Sequence, residues 1–414
     1  MNTHSIAIIG AGAAGCFCAI EIKRRLPMAD VHVFEAATKA LAKVAVTGGG
    51  RCNLTNSFAH YKDERGRLTN LQLAYPRGDK LMRKLFGTFG PEETYEWFER
   101  EGVKLLVQDD ECVFPVSQNA MEIVNTLLTL MHNLGVHLHL HSRITDIQEV
   151  MSAHDAVIVT TGGSPKASGL SFLDSLHLDI IPPVPSLFTF NIAGEQNQRL
   201  MGTVVEHVSV SLAGTRHRAE GPLLWTHWGM SGPAILKLSS YAARHLADKD
   251  YKGTIIVNWL GDKKEDDAHQ MLESMMCANS QKVVTNVYPE IFTQKHWTEI
   301  LQACSIPLTQ RWGALNKTHI SRLAGALTAQ SFTITGRCHY KEEFVTCGGV
   351  SLSEISAKTM ECKKHPGLYF AGEVLDVDAI TGGFNLQATW SMAYRIAESV
   401  GALRRIARNG DIVL

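Results

Sequence analysis

The chain contains no Cys-x-x-Cys pair, and its nine cysteines are scattered and odd in number. That excludes a disulfide framework and a thioredoxin-like redox pair, and it predicts reduced thiols. No apolar run reaches the roughly 18 to 20 residues that span a bilayer. A strand pattern opening at Ser5 leaves no room for a signal peptide, so a cytoplasmic protein without a membrane partner is expected. Charge of one sign is missing too: Lys plus Arg number 40 and Asp plus Glu 41, so no overall field draws in a nucleic acid. Basic clusters such as Lys23-Arg24-Arg25 read as ordinary solvated helix faces. There is no internal repeat or low-complexity tract. With 45% hydrophobic residues over 414 positions, the chain can build two or three domains with proper cores.

What is present is glycine where a dinucleotide needs it. Ser5-Ile-Ala-Ile-Ile9 reads as a buried strand, Gly10-Ala-Gly-Ala-Ala-Gly15 as the turn after it, and Cys16-Phe-Cys-Ala-Ile-Glu-Ile22 as the following helix. In such a turn Gly10 permits the tight bend, Gly12 lets the backbone approach a pyrophosphate, and Gly15 lets helix and strand pack closely. The phosphate charge then faces free N–H groups at a helix N-terminus. Val31-His-Val-Phe34 reads as the second strand and ends in Glu35, twenty residues after Gly15. A carboxylate there accepts hydrogen bonds from ribose hydroxyls and repels a 2′-phosphate, which points to FAD or NAD rather than NADP.

The far end separates those two. Gly367-Leu-Tyr-Phe-Ala-Gly-Glu373 reads as a short apolar strand ending in an acid, and a helix-like run from Gln387 to Val400 follows the turn Gly382-Gly383-Phe384-Asn385. In flavin proteins of the glutathione-reductase type, a late strand ending in Gly-Asp or Gly-Glu meets the ribityl-phosphate segment. The next helix points its N-terminus at the flavin ring and stabilises negative charge on the reduced cofactor. A simple NAD dehydrogenase has no need of this second element. A second G-x-G-x-x-G for NADPH is absent.

Four segments carry a family resemblance: Gly10 to Gly15, Thr47-Gly-Gly-Gly-Arg-Cys-Asn53, Leu223-Leu-Trp-Thr-His-Trp-Gly-Met-Ser-Gly-Pro233, and Ala371-Gly-Glu-Val-Leu-Asp376 with Thr381 to Gln387. On these the chain resembles the bacterial NAD(P)/FAD-dependent oxidoreductase family, the aminoacetone-oxidase-like FAD-binding flavoproteins, a group that includes a bile-acid double-bond reductase. Two departures stand out: Phe384 occupies a position where the family mostly has Tyr, and Ser164-Pro-Lys-Ala-Ser-Gly169 replaces a more glycine-rich loop. The resemblance implies an α/β fold, a glutathione-reductase-type FAD-binding Rossmann-like domain with an inserted mostly-β domain and a small helical cap. It also implies FAD contacts at Gly10, Ala11, Gly12, Ala14 and Gly15, at Glu35 and Ala36, and at Gly49, Gly50, Arg51, Cys52 and Asn53. Further contacts are implied at Ile144 beside the adenine, at Thr161, Gly162 and Gly163, at Gly372, Glu373 and Asp376, and at Gly383, Phe384, Asn385 and Leu386.

Along the chain, Asn119 to Asn133 is an amphipathic helix, Val136-His-Leu-His-Leu-His141 an alternating strand, and Ala156-Val-Ile-Val-Thr-Thr-Gly-Gly163 a buried strand ending in a glycine turn. Pro182-Pro-Val-Pro185 cannot continue a helix or a central strand and marks a boundary. Beyond it, 203–212 and 254–259 read as strands, and 264–279, 294–304 and 318–327 as helices. The expected domains are therefore 1–185 with 340–414 for FAD, and 186–339 facing substrate, with a helical subdomain at about 262–328.

Three constellations are candidates for chemistry. Arg51 can neutralise pyrophosphate or reduced flavin, and Asn53 can bond the ring's polar edge. Cys52 either contacts substrate or flavin or only helps clamp FAD, since no activating neighbour is identifiable. His227, between Trp225 and Trp228, is the acid/base candidate of an expected substrate cavity, because imidazole titrates near neutrality. His137, His139 and His141 share one strand face, but no carboxylate or cysteine ligand is clearly placed with them, and no metal is expected.

The reading is an FAD-dependent oxidoreductase exchanging hydride between flavin N5 and a small organic substrate. If NAD(P)H is the electron donor, it approaches through the inserted domain. The alternatives are a flavin-dependent amine oxidase or dehydrogenase, and a non-enzymatic FAD-binding redox sensor. Fold analogy does not select the substrate.

Overall fold

The computed structural model describes residues 4–164, 166–338 and 345–409. By its contacts the chain divides into two compact units, Met1–Val184 with Val345–Leu414, and Pro185–Phe344. The expected return to the first domain near residue 340 lies outside the described residues.

In the first unit, short runs of Val, Ile and Ala form strands because both their faces are covered: Ala156–Val159 and Leu368–Phe370 are buried throughout, and so is Ser5–Ile9 after its first residue. Among the described residues the sheet has five parallel strands, in the order Leu368–Phe370, Ala156–Val159, Ser5–Ile9, Asp30–Phe34, His137–His139. Ser5–Ile9 is central, so the turn that follows it opens at the middle of the sheet's carboxyl edge. There the helix Ala13–Arg25 begins, and it packs against the late helix Phe384–Asn409. Phe17 of the first helix joins Phe89, Trp97 and Trp390 in an aromatic core. The helix Ala120–Asn133 starts where Asn119 accepts the Met121 N–H at 3.0 Å. It buries Ile123, Val124, Leu127 and Met131, the stripe of a 3.6-residue period.

One local expectation is corrected. The histidine strand is only His137–His139; His141 takes a left-handed φ of 55° and its N–H donates to the Ala37 carbonyl. The proline segment falls where the two units divide, between Val184 and Pro185, and is extended, in the strand Ile180–Ser186 paired with Val345–Val350 in a separate two-stranded sheet. Each strand of that pair has one open edge, where a residue without an N–H costs little.

The second unit is a closed barrel of six antiparallel strands among the described residues: Phe190–Ile192, Val204–Leu212, Arg218–Thr226, Gly229–Ser231, Gly253–Asn258 and Gln330–Arg337. Closure removes free sheet edges. The helices Glu265–Ala278, Gln294–Ala303 and Lys317–Ala329 share its core, where Trp225, Trp259, Trp297 and Trp312 meet Leu272 and Leu323. The architecture is thus a Rossmann-like α/β unit with an inserted, mostly-β unit carrying a small helical cap.

Candidate functional site

The turn after the central strand is shaped by what cannot fit beside it. A Cβ on Gly10, which has φ of 107°, would lie 2.5 Å from the Thr160 carbonyl oxygen, and one on Gly15 would fall on the Gly10 carbonyl. Gly12 differs: a Cβ there would meet nothing within 4 Å. Its backbone faces open space at the start of a helix with no side-chain cap and no acid in its first turn, so free N–H groups and the positive end of the helix dipole are available to an anion. Gly162, Gly49 and Gly50 are open in the same way. Close approach by a phosphate-bearing cofactor is thus open at the backbone of Gly12, at the start of the first helix, and of Gly162, after the neighbouring strand.

Glu35 stands at the end of the second strand, its carboxylate accepting the Ala11 N–H at 2.9 Å and the Ala37 N–H at 2.8 Å. With Gly10, Ala36, Ile144, Thr161, Gly162 and Gly163 it lines a cavity of about 370 Å³. Sequence reasoning missed other walls of this cavity: Ser142 and Arg143 before Ile144, and Leu170 and Phe172 from the 3-10 turn Ala167–Leu176. Only their distance from the glycine motif hid them, since the first pair directly follows the edge strand.

The chain's far end closes on this loop. Gly372, with φ of 81°, would place a Cβ 3.5 Å from that of Ala14. Glu373 accepts the Thr346 N–H at 2.5 Å and holds its other oxygen 3.6 Å from Lys43 Nζ. Asp376 is half-buried on the same loop, its N–H donating to the Val350 carbonyl. The loop is pinned by a pair not foreseen from sequence: buried Asp378 receives the Arg77 guanidinium on both oxygens, the Nε bond measuring 2.5 Å.

Gly382 and Gly383, both at positive φ, then start the helix Phe384–Asn409, which has no acid in its first turn. Phe384 is held edge-on by Phe58, Tyr61 and Tyr75, and Tyr75 Oη donates to the Phe384 carbonyl at 2.8 Å. Asn385 spends its carboxamide on both backbone groups of Ala379, which leaves only its backbone for a ligand. Leu386 is half-buried beside it.

The Gly48–Gly50 run has φ of 58°, 69° and 81°, a left-handed stretch open to glycine and costly for other residues. Asn53 joins this loop to the late helix: in the amide orientation that satisfies both ends, its nitrogen donates to the Thr55 carbonyl at 3.0 Å and its oxygen accepts the Gly383 N–H at 3.2 Å. Arg51 is exposed, lies 4.3 Å over the Phe114 ring, and bonds Gly48 and Gln118 without a carboxylate partner among the described residues. Its charge is therefore uncompensated. Cys52 is fully buried, and burial pushes its thiol up to about 12, which favours the protonated thiol at neutral pH.

In the second unit, Trp225 turns into the barrel core at 1% exposure, among the core residues rather than at the surface. Trp228 donates to Thr189 Oγ1 at 3.2 Å. His227 is exposed at the hairpin tip, edge-on to Trp228 with centroids 4.4 Å apart. Among the described residues, no group of three His, Cys, Asp or Glu side chains is arranged to hold a metal ion, and no helix is long and apolar enough to cross a membrane.

A glycine turn opening an acid-free helix start at the centre of a parallel sheet, a carboxylate at the end of the next strand and a second acid-free helix start near the chain's end fit the protein's class, an FAD-dependent oxidoreductase. Within that class, the chain belongs to the family described as HI0933-like protein Rossmann domain, whose pattern spans residues 4–399. Two similar proteins are named ribosomal RNA dihydrouridine synthase. That of Haemophilus influenzae is 28% identical over 95% of this chain and 97% of its own length, and that of Escherichia coli 27% identical over 98% and 100%. A third, the 3-dehydro-bile acid delta(4,6)-reductase of Clostridium scindens, is 25% identical over 94% of this chain and 97% of its own.

Proposed function

We propose that this protein reduces a carbon–carbon double bond conjugated to a carbonyl in a small organic molecule, with NAD(P)H as the source of electrons. The observation that carries the reading is the acid-free first turn of the helix Phe384–Asn409, tied through Asn53 to the loop that bears Arg51. Two positive features converge on one loop, as reduced, anionic flavin requires. The names of the similar proteins support the bond type, since a dihydrouridine synthase and a delta(4,6)-reductase both add two hydrogens across such a bond.

Bound FAD supplies a hydride carrier at N5. The chain's part is to hold it: Gly10, Ala11, Gly12, Ala14 and Gly15 take the pyrophosphate, Glu35 and Ala36 the ribose, and Ile144 with Thr161, Gly162 and Gly163 the adenine side. Gly372, Glu373 and Asp376 take the ribityl side. Gly49, Gly50, Cys52, Asn53, Gly383, Phe384, Asn385 and Leu386 would hold the ring. His227 is the proposed proton donor to the second carbon, its exposed imidazole being able to exchange protons with solvent. The first unit is the FAD domain and the second shapes the pocket.

A second reading has its own observation. Residues 62–84 carry seven basic residues (62, 65, 67, 77, 80, 83, 84) against three acids (63, 64, 79), although the whole chain is at −1. Arg65, Lys80 and Lys84 are exposed, and the Arg77–Asp378 pair ties this segment to the loop before the late helix. A polyanion such as RNA fits that excess. The test is anaerobic absorbance near 450 nm after mixing with NADH, NADPH or amines, followed by addition of an enone or a uridine-containing RNA. Bleaching by a nicotinamide and recovery with the enone supports the proposal. Recovery with RNA alone selects the second reading, and bleaching by amines alone overturns both in favour of an amine oxidase. A flavin that no donor bleaches indicates a sensor.

A further inference from the structure

We propose that the imidazoles of His32 and His139 position the adenine end of the FAD site, and that FAD affinity consequently falls as pH drops below neutrality. This rests on the FAD assignment above. His32, on the second strand, is the hub of a cluster lying outside the catalytic groups. Its Nδ1 is 2.9 Å from His139 Nε2, and its Nε2 is 3.0 Å from an Asp30 carboxylate oxygen. Its ring stacks on those of His137 and His139 at 4.9 and 5.2 Å and lies 5.8 Å from that of His154. Phe34 stacks on His139 at 4.9 Å and lies 6.2 Å from His32.

The cluster joins two strands that lead into one wall of the cavity. Among the described residues His137–His139 is an edge strand that pairs only with Asp30–Phe34. The pairing runs on past the carboxyl ends of both strands: the Glu35 N–H donates to the His139 carbonyl at 2.8 Å, and the Ser142 N–H donates to the Glu35 carbonyl at 2.7 Å. Glu35 and Ser142 to Ile144 therefore line the cavity side by side. A three-residue edge strand has few hydrogen bonds of its own, so side chains across the pair decide whether it stays docked.

Those side chains are proton-sensitive. An imidazole-to-imidazole hydrogen bond needs one ring to accept, and therefore to be neutral. Protonating the acceptor breaks the bond, because two N–H groups then face each other. The other charged or titratable groups facing the cluster are Asp30, which also lies 3.4 Å from His137 Nε2, Lys23 near Asp30, and Asp155 with His4 near His154. Burial first, and then His32, hold His139 and His154 below the usual imidazole range; the His32 hydrogen bond holds Asp30 below the usual carboxylate range. For a histidine depressed in the docked arrangement, docking is complete above the ordinary pKa near 6.5 and is lost as pH falls.

The experiment measures the FAD dissociation constant at pH 7.5 and 5.5 for the natural protein, His139→Gln and His32→Gln, and amide hydrogen exchange at Glu35 and Ser142 in FAD-free natural protein at both pH values. The expected result is about a tenfold weaker affinity at pH 5.5, a change below about threefold in either variant, and faster exchange at pH 5.5 after correction for its intrinsic pH dependence. An equal pH slope in all three proteins, or protection that does not change with pH, overturns the proposal. Failure to bind FAD at pH 7.5 would sink the cofactor assignment instead, and the exchange measurement, which needs neither FAD nor a variant, would still decide the role of the cluster.

Discussion

Replacing Gly12 by alanine separates cofactor binding from folding. The added methyl meets no atom within 4 Å, and the backbone at φ −83°, ψ −167° is open to alanine. Alanine is the poorer N-cap by about 0.5–1 kcal/mol, but it also restricts the unfolded chain by about 0.4–1 kcal/mol. The two nearly cancel, so the melting temperature of the FAD-free protein should stay within a few degrees. Binding is different, because the methyl occupies the space through which a pyrophosphate reaches the helix N-terminus. Losing one charge-assisted hydrogen bond costs about 1.5–3 kcal/mol, which is about 10- to 150-fold in the dissociation constant. The assay is a flavin-fluorescence titration beside a thermal melt of the same preparation. Gly15→Ala is the contrast: its methyl falls on the Gly10 carbonyl, so it should lose folding and binding together. A Gly12→Ala protein that binds FAD as tightly as the natural one, or that melts far below it, would refute the placement of the phosphate.

Other consequences can be checked separately. Glu35→Gln should weaken FAD by about tenfold while leaving the melt nearly unchanged, as read by the same titration. Arg77→Ala takes the guanidinium away from buried Asp378 and should cost up to about 3–5 kcal/mol in urea unfolding, whereas an effect below about 1 kcal/mol would show the pair to be dispensable. His296 is buried beside Trp259 and Phe292, and burial lowers its pKa to about 4. Its unfolded form takes up protons near 6.5 and its folded form does not, so stability is full above pH 6.5 and falls by about 3 kcal/mol as pH drops to 4. His296→Phe should flatten that slope in urea titrations at several pH values.

The parts of this protein that depend on local pattern were legible in the sequence. The Gly10–Gly15 turn, the acid at Glu35 and the helix stripe of Ile123, Val124, Leu127 and Met131 each follow from spacing alone. What escaped depends on partners distant in the chain. Nothing near Arg77 announces Asp378, and nothing near Gly163 announces Leu170 and Phe172 as walls of the same cavity. Trp225 and His227 lie two residues apart, yet one ends in a barrel core and the other at a hairpin tip, because the turn breaks the alternation between them. The near-zero net charge concealed the basic stretch 62–84 because summation over 414 residues discards position.

The cofactor-holding sheet is written at both ends of the chain, with Leu368–Phe370 beside Ala156–Val159 and Gln387 accepting the Thr55 hydroxyl across 332 positions. The barrel unit lies within the continuous stretch Pro185–Phe344. On a ribosome that order has a cost in time: the barrel's residues are all available before the last strand and helix of the nucleotide fold exist, and until those emerge Ala156–Val159 presents an unpaired apolar edge. Loading with flavin is therefore a late event in the life of each molecule, and a chain cut short after the barrel should be prone to aggregation rather than merely inactive.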